Sequence, residues 1–451
     1  MTLFLALLLL YSAGLVAVGL WIGRTVRDTS GFFVAGRSLG PGLLFATFLA
    51  ANIGASSTIG ATGYAYRDGL AAWWWNGSAG IGTLILAFWI GPRIWRQAQQ
   101  HGFLTVGDFL EHHFGKGVRG LAAVIIWASS FFILCAQFMG AAAVLERVAG
   151  LSLGAGAFVA ALATVAYFVG GGLKSAAYVN VIQLAVILTG FLLAAPFASQ
   201  AAGGLFLSGA ESSFWHGNGV GWTSLLLLGP AFFLSPGLLQ KSLGARGPAE
   251  LTRGIALSGV ALMLFAWLPV MLGMAARMVH PDLVNSDLAL PAILSDGVPP
   301  IVGAIALAAV FSAEISSADA VLFMLSTSGA RDFYRGVLRP DASDRDVLHI
   351  ARILAAVGAL IGFALTFYFA SVVEAIALFY QFMIVTLFAP ILGALLLPRA
   401  SRWSALAAML VGVGVLVTTT LATGGVGWGW APPHFLGLLA SALTFFILAA
   451  F

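Results

Sequence analysis

The stretch Ala50-Ala51-Asn52-Ile53-Gly54-Ala55-Ser56-Ser57-Thr58-Ile59-Gly60 sits in the middle of an otherwise apolar run, residues 42–66. The run is long enough to cross a bilayer, yet its centre is small, hydroxylated and punctuated by glycine. A helix in lipid must satisfy its own backbone groups. One weakened at mid-depth is therefore tolerated only where protein or a water-filled cavity surrounds it. The stretch predicts an interrupted membrane helix beside an internal site.

The composition agrees with a membrane setting. Of the 451 residues, 60% are hydrophobic and only 8% are charged, against about 25% charged in soluble domains. A soluble fold of this length would lack a wettable exterior. A spanning helix needs about 20 mostly apolar residues. That ruler gives thirteen candidates, I to XIII: 2–22, 42–66, 70–95, 117–145, 150–170, 175–197, 222–242, 253–278, 297–329, 350–370, 374–397, 403–423 and 432–451. The runs are continuous and not alternating, which excludes a β-barrel. The fold class is an all-α integral membrane protein of about 13 transmembrane helices, organised as one transporter-sized domain over 1–451. No basic residue precedes 2–22, so this run reads as the first helix and not as a cleaved signal.

The basic residues alternate in side. After helices I, III, V, VII, IX and XI stand Arg24, Arg27, Arg37; Arg93, Arg96, Lys116, Arg119; Lys174; Lys241, Arg246, Arg253; Arg331, Arg335, Arg339, Arg345, Arg352; and Arg399, Arg402. Only Arg67, Arg147 and Arg277 lie on the other side. The positive-inside rule puts the larger set in the cytoplasm. The N-terminus is then outside and the C-terminus inside, in a cell membrane, with a bacterial inner membrane expected. The net charge of +4 thus reports topology, not nucleic-acid binding. The amphipathic segment Gly102–His113 is expected along the inner interface, and Arg331–Arg352 reads as the longest charged loop.

A second interruption is expected in helix VII, at Gly229-Pro230 and Pro236-Gly237, because proline removes a helical donor and frees a carbonyl. Interrupted helices in the two halves of a chain point to a binding site between them. Helix IX reads Phe311-Ser312-Ala313-Glu314-Ile315-Ser316-Ser317-Ala318-Asp319. Two carboxylates inside an apolar span are costly and face a cavity or a partner. Ser312, Ser316 and Asp319 share a face by spacing. Hydroxyls, freed carbonyls and a carboxylate are hard oxygen ligands suited to an alkali cation. Serines bonded back to helix carbonyls are the structural alternative. Cys135 is the only cysteine, so an internal disulfide is excluded.

These residues resemble the sodium:solute symporter family. The resemblance runs from Ser30-Gly31-Phe32-Phe33-Val34-Ala35-Gly36-Arg37 through residues 50–60, Val179-Asn180-Val181-Ile182-Gln183 and Ser316-Ser317-Ala318-Asp319-Ala320 to Arg331-Asp332-Phe333-Tyr334-Arg335. It implies a leucine-transporter-like fold with two inverted five-helix repeats, helices II–VI (42–197) and VII–XI (222–397). The extra helix 1–22 precedes them and 403–451 follows. It also implies a sodium site built from the carbonyls of Ala50, Ile53 and Ala313 and the hydroxyls of Ser316 and Ser317. Relatives often carry an aspartate where this chain has Asn180, and a small residue where it has Asp319. Asp319 with Asn180 is therefore expected to serve the same ion vestibule, as a second cation site or a proton acceptor.

Candidates for the solute pocket are Ser56, Ser57, Thr58, Trp75, Asn76, Gln137, Phe232, Phe233, Ser235, Tyr380 and Gln381. Aromatic walls with a few amide or hydroxyl handles favour an amino acid or small carboxylate over a sugar. The expected function is sodium-coupled symport of a small organic solute by alternating access, with sodium as the only cofactor. The alternatives are a proton-coupled symporter or a uniporter of the same fold using Asp319 or Glu314, or a solute-sensing subunit. An enzyme is not expected. His101, His112 and His113 lie near the inner interface, with no nucleophile, metal cluster or phosphate loop beside them.

Overall fold

Residues 2–24, 28–168, 172–203, 213–217, 220–397, 400–429 and 431–450 are described by a computed structural model. Arg27, Arg399 and the end of candidate V lie outside the described residues. The regular elements of the described residues are all helices, with a few isolated β-bridges in the loops. In chain order the α-helices are α1 (Thr2–Gly23), α2 (Thr29–Val34), α3 (Pro41–Asn52), α4 (Ala61–Asp68), α5 (Trp73–Ile85), α6 (Gly91–His101) and α7 (Val106–Phe114). There follow α8 (Lys116–Ala149), α9 (Leu153–Phe168), α10 (Gly172–Ala201), α11 (Ser224–Leu234), α12 (Pro236–Leu243), α13 (Pro248–Phe265) and α14 (Trp267–Val279). The last six are α15 (Ala289–Asp296), α16 (Pro300–Thr327), α17 (Asp344–Leu365), α18 (Val372–Leu396), α19 (Arg402–Thr423) and α20 (Pro433–Ala449).

Among the described residues eight helical stretches are long and apolar enough to cross a membrane, and four shorter apolar helices accompany them. Large apolar side chains such as Leu10, Phe88, Leu162, Leu264, Leu360 and Leu421 remain exposed on their surfaces. In water this would be an aggregation hazard; against lipid it is the solvated face. The buried interior carries the polar groups instead.

Both interruptions exist, with one shift of position. Helix II divides at Ile53, where φ −97° and ψ 99° leave the helical region, and resumes in wide turns over Ser56–Gly60. Helix VII divides at Ser235 (φ −51°, ψ 120°), between α11 and α12. The proline ring of Pro236 disfavours helical geometry in the residue before it, and Pro236 then starts α12, where a missing N–H costs nothing. Gly229-Pro230, also expected to break the helix, lies inside α11 without ending it.

Two further expectations change, and the amphipathic segment takes shape as a helix. Arg331–Arg352 is mostly not loop: Ser328–Leu338 continues α16 as wide helical turns, and α17 starts at Asp344 behind a capping box from Ser343. Lys241 is not a loop residue either; it lies in α12 with 1% of its surface exposed. The amphipathic segment is helix α7, capped by Thr105, and its apolar residues Phe109 and Leu110 are fully buried against protein.

Candidate functional site

The site grows from the break in helix II. Backbone groups freed there must find partners in a dry interior. Gln137 on α8 accepts from the Ala55 N–H through Oε1 at 2.9 Å. Asn76 on α5 donates from Nδ2 to the Ser57 carbonyl at 2.9 Å. The Ser57 hydroxyl donates to the Asn52 carbonyl at 2.5 Å. Thr58 Oγ1 donates to Glu314 Oε1 at 2.8 Å, so the fully buried Glu314 braces the broken helix. Gly54 lies so close to Ser317 and Gln137 that a Cβ there would stand 2.7 Å from Gln137 Oε1 and closer still to Ser317.

Helix α16 crosses this break with its serine pair. Ser316 Oγ lies 2.9 Å from the carbonyl oxygens of both Ala50 and Ala313, either of which can accept its proton. Ser317 Oγ is 3.1 Å from the Ile53 carbonyl and 3.2 Å from that of Ala51. The five oxygens expected at the sodium site therefore fall into two sets on neighbouring serines: Ser316 with the Ala50 and Ala313 carbonyls, and Ser317 with the Ile53 carbonyl. All are neutral, and the hydroxyls can rotate to present lone pairs. Carbonyls and hydroxyls in a dry setting replace the hydration shell of a small monovalent cation. Among the described residues no group of three or more His, Cys, Asp or Glu could hold a metal ion. Ser312 does not join the site: its hydroxyl pairs with Tyr11 of α1 at 2.6 Å.

Beside the serine pair lies a cavity between the two broken helices. Ser56, Gln137, Phe232, Ser235 and Tyr380 of the expected pocket line it, with Asn52, Ser317 and Lys241. Tyr380 and Ser56 line the same cavity, and the Phe232 ring packs 5.7 Å from that of Tyr380. Gly237 and Leu238, from the first turn of α12, complete one wall. The other expected residues are placed differently. Ser57, Thr58 and Asn76 spend their side chains on the helix II break. Trp75 packs on Tyr64 at 5.0 Å, and Phe233 on Phe388 at 6.4 Å. Gln381 is half-buried and lies off the cavity wall.

Sequence reasoning missed Asn52 and Lys241 on this wall. Asn52 Nδ2 is buried with no hydrogen-bond partner. Lys241 donates from Nζ to the Thr47 carbonyl on α3 at 3.4 Å. Asn180 of α10 donates to Thr47 Oγ1 at 2.9 Å. Toward the end of the molecule rich in arginine, Arg119 of α8 pairs with Asp108, Glu111 and Asp332, at 3.0 Å from both aspartates. That knot joins α7 and α8 to the helical turns after α16.

Known proteins share both the sequence and the fold. The uncharacterized symporter YidK of Escherichia coli strain K12 is 26% identical over 370 residues; the match spans 75% of this chain and 64% of YidK. The sodium/glucose cotransporter of Vibrio parahaemolyticus is 25% identical over 399 residues, 78% of this chain and 72% of its own. A Na+-coupled sialic acid symporter, solved substrate-bound and outward-open, superposes with a TM-score of 0.81 at 15% identity, covering 99% of this chain and 97% of that one. A sequence model described as the sodium:solute symporter family matches residues 32–213 and 208–412. On that match the chain, a multi-pass membrane protein and not an enzyme, belongs to the sodium:solute symporter family.

Proposed function

We propose that this chain couples the sodium gradient to the inward movement of a small organic solute by alternating access. One observation carries the reading: the Ser316 and Ser317 hydroxyls meet the carbonyls of Ala50, Ile53 and Ala313 at a break in helix II. Sodium in that cage ties α3 to α16 and favours the state that accepts solute. When ion and solute favour the same state, each strengthens the other's binding by the same factor. Rocking of the helices then opens both to the cytoplasm. Each sodium charge draws about 2.3 kcal/mol per 100 mV from the membrane potential.

The reading includes thirteen spans with two inverted five-helix repeats, an outside N-terminus and a cytoplasmic C-terminus. The alternation of basic residues supports that orientation. For the solute we favour an amino acid or small carboxylate over a sugar. The first turn of α12 lines the cavity, and a helix N-terminus attracts a carboxylate. The Phe232–Tyr380 wall suits an apolar body, while Ser56 and Gln137 supply polar handles.

Uptake of labelled amino acids, carboxylates and sugars into proteoliposomes tests both parts. We expect carboxylate-bearing solutes to accumulate under an inward sodium gradient and not under a proton gradient alone. Uptake driven by protons without sodium refutes the coupling; sugar uptake without carboxylate uptake refutes the solute class.

A further inference from the structure

At the end of the molecule rich in arginine, α8 and the wide turns after α16 enclose a cavity of about 260 Å³. Lys116 and Arg119 line it from the first turn of α8, and Arg331 and Arg335 from the wide turns. One carboxylate, that of Glu111, shares the wall. Arg119 and Arg331 are held side by side: each takes one oxygen of Asp108, at 3.0 Å and 3.3 Å. Arg119 also donates to the Arg331 carbonyl at 3.0 Å. Arg335 is fixed by Asp344 at 2.8 Å. A Cβ at Gly336 would stand 2.8 Å from Arg119 Nε, so glycine lets these turns close on α8.

The acids position the arginines without exhausting them. Asp108, Asp332 and Asp344 lie outside the cavity wall. Arg331 bonds through Nε alone and Arg335 through Nη1 alone, so among the described residues both keep terminal N–H donors free. The exposed Lys116 ammonium makes no ion pair among them. Guanidinium forks and an ammonium bind phosphate oxygens through charge-assisted hydrogen bonds. Apolar surface runs on from the same cavity. Lys116, Gly120 and Val124 share a face of α8 by spacing. Gly120 packs on Val337, whose Cγ2 lies 3.3 Å from a Cβ placed there. Val124, Val337 and Leu338 are 45%, 43% and 59% exposed. On a membrane protein such a face meets acyl chains. Phosphate donors and an acyl-chain surface thus adjoin, and a free phosphate has no use for the second.

We propose that this cavity holds the headgroup of an anionic phospholipid, with its acyl chains along Val124, Val337 and Leu338. Basic pockets between membrane helices suit such headgroups. The bound lipid bridges α8 to the turns after α16.

Full-length protein in a non-ionic detergent is titrated with phosphatidylglycerol or with phosphatidylcholine of the same acyl chains, and binding is read by native mass spectrometry. The first phosphatidylglycerol is expected to bind at least about tenfold more tightly than phosphatidylcholine, whose choline cancels the headgroup charge. Lys116→Gln with Arg335→Gln is expected to abolish that preference. Arg352→Gln, which removes a charge from the same end but outside the cavity wall, is expected to keep it. Equal binding of the two lipids by the wild type, or an unchanged preference in the double variant, overturns the proposal. So does an equal loss in Arg352→Gln, which would mean that net charge and not this cavity attracts the lipid. If the double variant is not recovered as monodisperse protein, Lys116→Gln alone, which strands no partner, must lower the preference; an unchanged preference overturns the proposal. Inorganic phosphate at the concentration of the lipid is expected to leave phosphatidylglycerol bound. Displacement by it would make this a site for free phosphate and refute the lipid.

Discussion

Ser317 Oγ lies 3.1 Å from the carbonyl oxygen of Ile53, a contact that closes 264 residues of sequence at one point. The hydroxyl can donate across the gap between these two oxygens, with the Ala51 carbonyl a second acceptor at 3.2 Å. A sodium ion there needs both as acceptors, so the hydroxyl must turn its proton away, which a rotor does cheaply. Ser317→Ala removes that ligand and leaves the carbonyl without its donor. We expect the sodium concentration for half-maximal 22Na+ binding to rise at least tenfold, equivalent to about 1.4 kcal/mol. Ser317→Thr, which restores the hydroxyl, should recover most of the affinity. Equal sodium affinity in wild type and Ser317→Ala would remove this serine from the site.

Gly54→Ala should act on the same site without removing a ligand. The added Cβ would meet the Ser317 side chain and stand 2.7 Å from Gln137 Oε1. Both neighbours are packed and hydrogen-bonded, so the broken helix must move away from α16. We expect sodium affinity to fall at least as far as in Ser317→Ala, while the protein remains folded, since Gly54 lies at a break and not within a helical turn. Binding titration paired with thermal unfolding checks it; unaltered affinity contradicts the close approach.

Much of this site was legible in the sequence because its signals are local. The small residues of 50–60 and the serines and acids of 311–319 are polar groups placed where lipid would punish them, and each marks a protein-lined place. The position of the helix VII break was harder to read. Two proline–glycine pairs looked equivalent, and only the backbone at Ser235 separates them. Lys241 was misassigned for a different reason. Counting basic residues after an apolar run treats each as a loop charge, yet this one follows Pro236, which starts a new buried helix. It donates to the Thr47 carbonyl on α3, far back along the chain and beyond the reach of any hydropathy window. Ser57, Thr58 and Asn76 have pocket chemistry, but backbone groups at the break claim their side chains, a demand that appears only once the break has a shape.

Thr58 gives a stability prediction. Its hydroxyl is the hydrogen-bond donor to Glu314 Oε1, while Oε2 is buried without a partner. Removing a donor from a buried acceptor costs about 1–3 kcal/mol, more where the acceptor is charged. Thr58→Val should lower the unfolding temperature in detergent, and Thr58→Ser should not. If the two variants melt alike, the bond between helix II and Glu314 contributes nothing measurable.

His113 on α7 gives a dependence on pH. Burial, followed by the neighbouring charges of His112 and His101, lowers its pKa below the ordinary 6.5. The unfolded chain then takes up this proton more readily than the folded one. Stability from this residue is complete above about pH 6.5 and is lost as pH falls from there through the lower folded value. Melting temperatures compared at pH 7.5 and pH 5.5 should show a smaller acid drop for His113→Gln than for the wild type. An equal drop in both would place the acid sensitivity elsewhere.

Arg119 and Asp332 should behave as one unit. The guanidinium reaches Asp332 and Asp108 at 3.0 Å and also binds Glu111, while Thr105 donates to Asp332 at 2.5 Å. Arg119 and Asp332 are both largely buried. Breaking such a pair from one side leaves an uncompensated charge and costs about 3–5 kcal/mol. Arg119→Met should therefore be strongly destabilised. Adding Asp332→Asn removes one of the stranded charges, so the double variant should be more stable than the single one. The expected coupling is about 0.5–3 kcal/mol, the range for residues in direct contact. Full recovery is not expected, because Asp108 would still face Arg331 alone at 3.3 Å. Chemical unfolding of the wild type, both single variants and the double variant closes the cycle. Strict additivity would mean that the knot joining α7 and α8 to the turns after α16 holds by packing and not by charge.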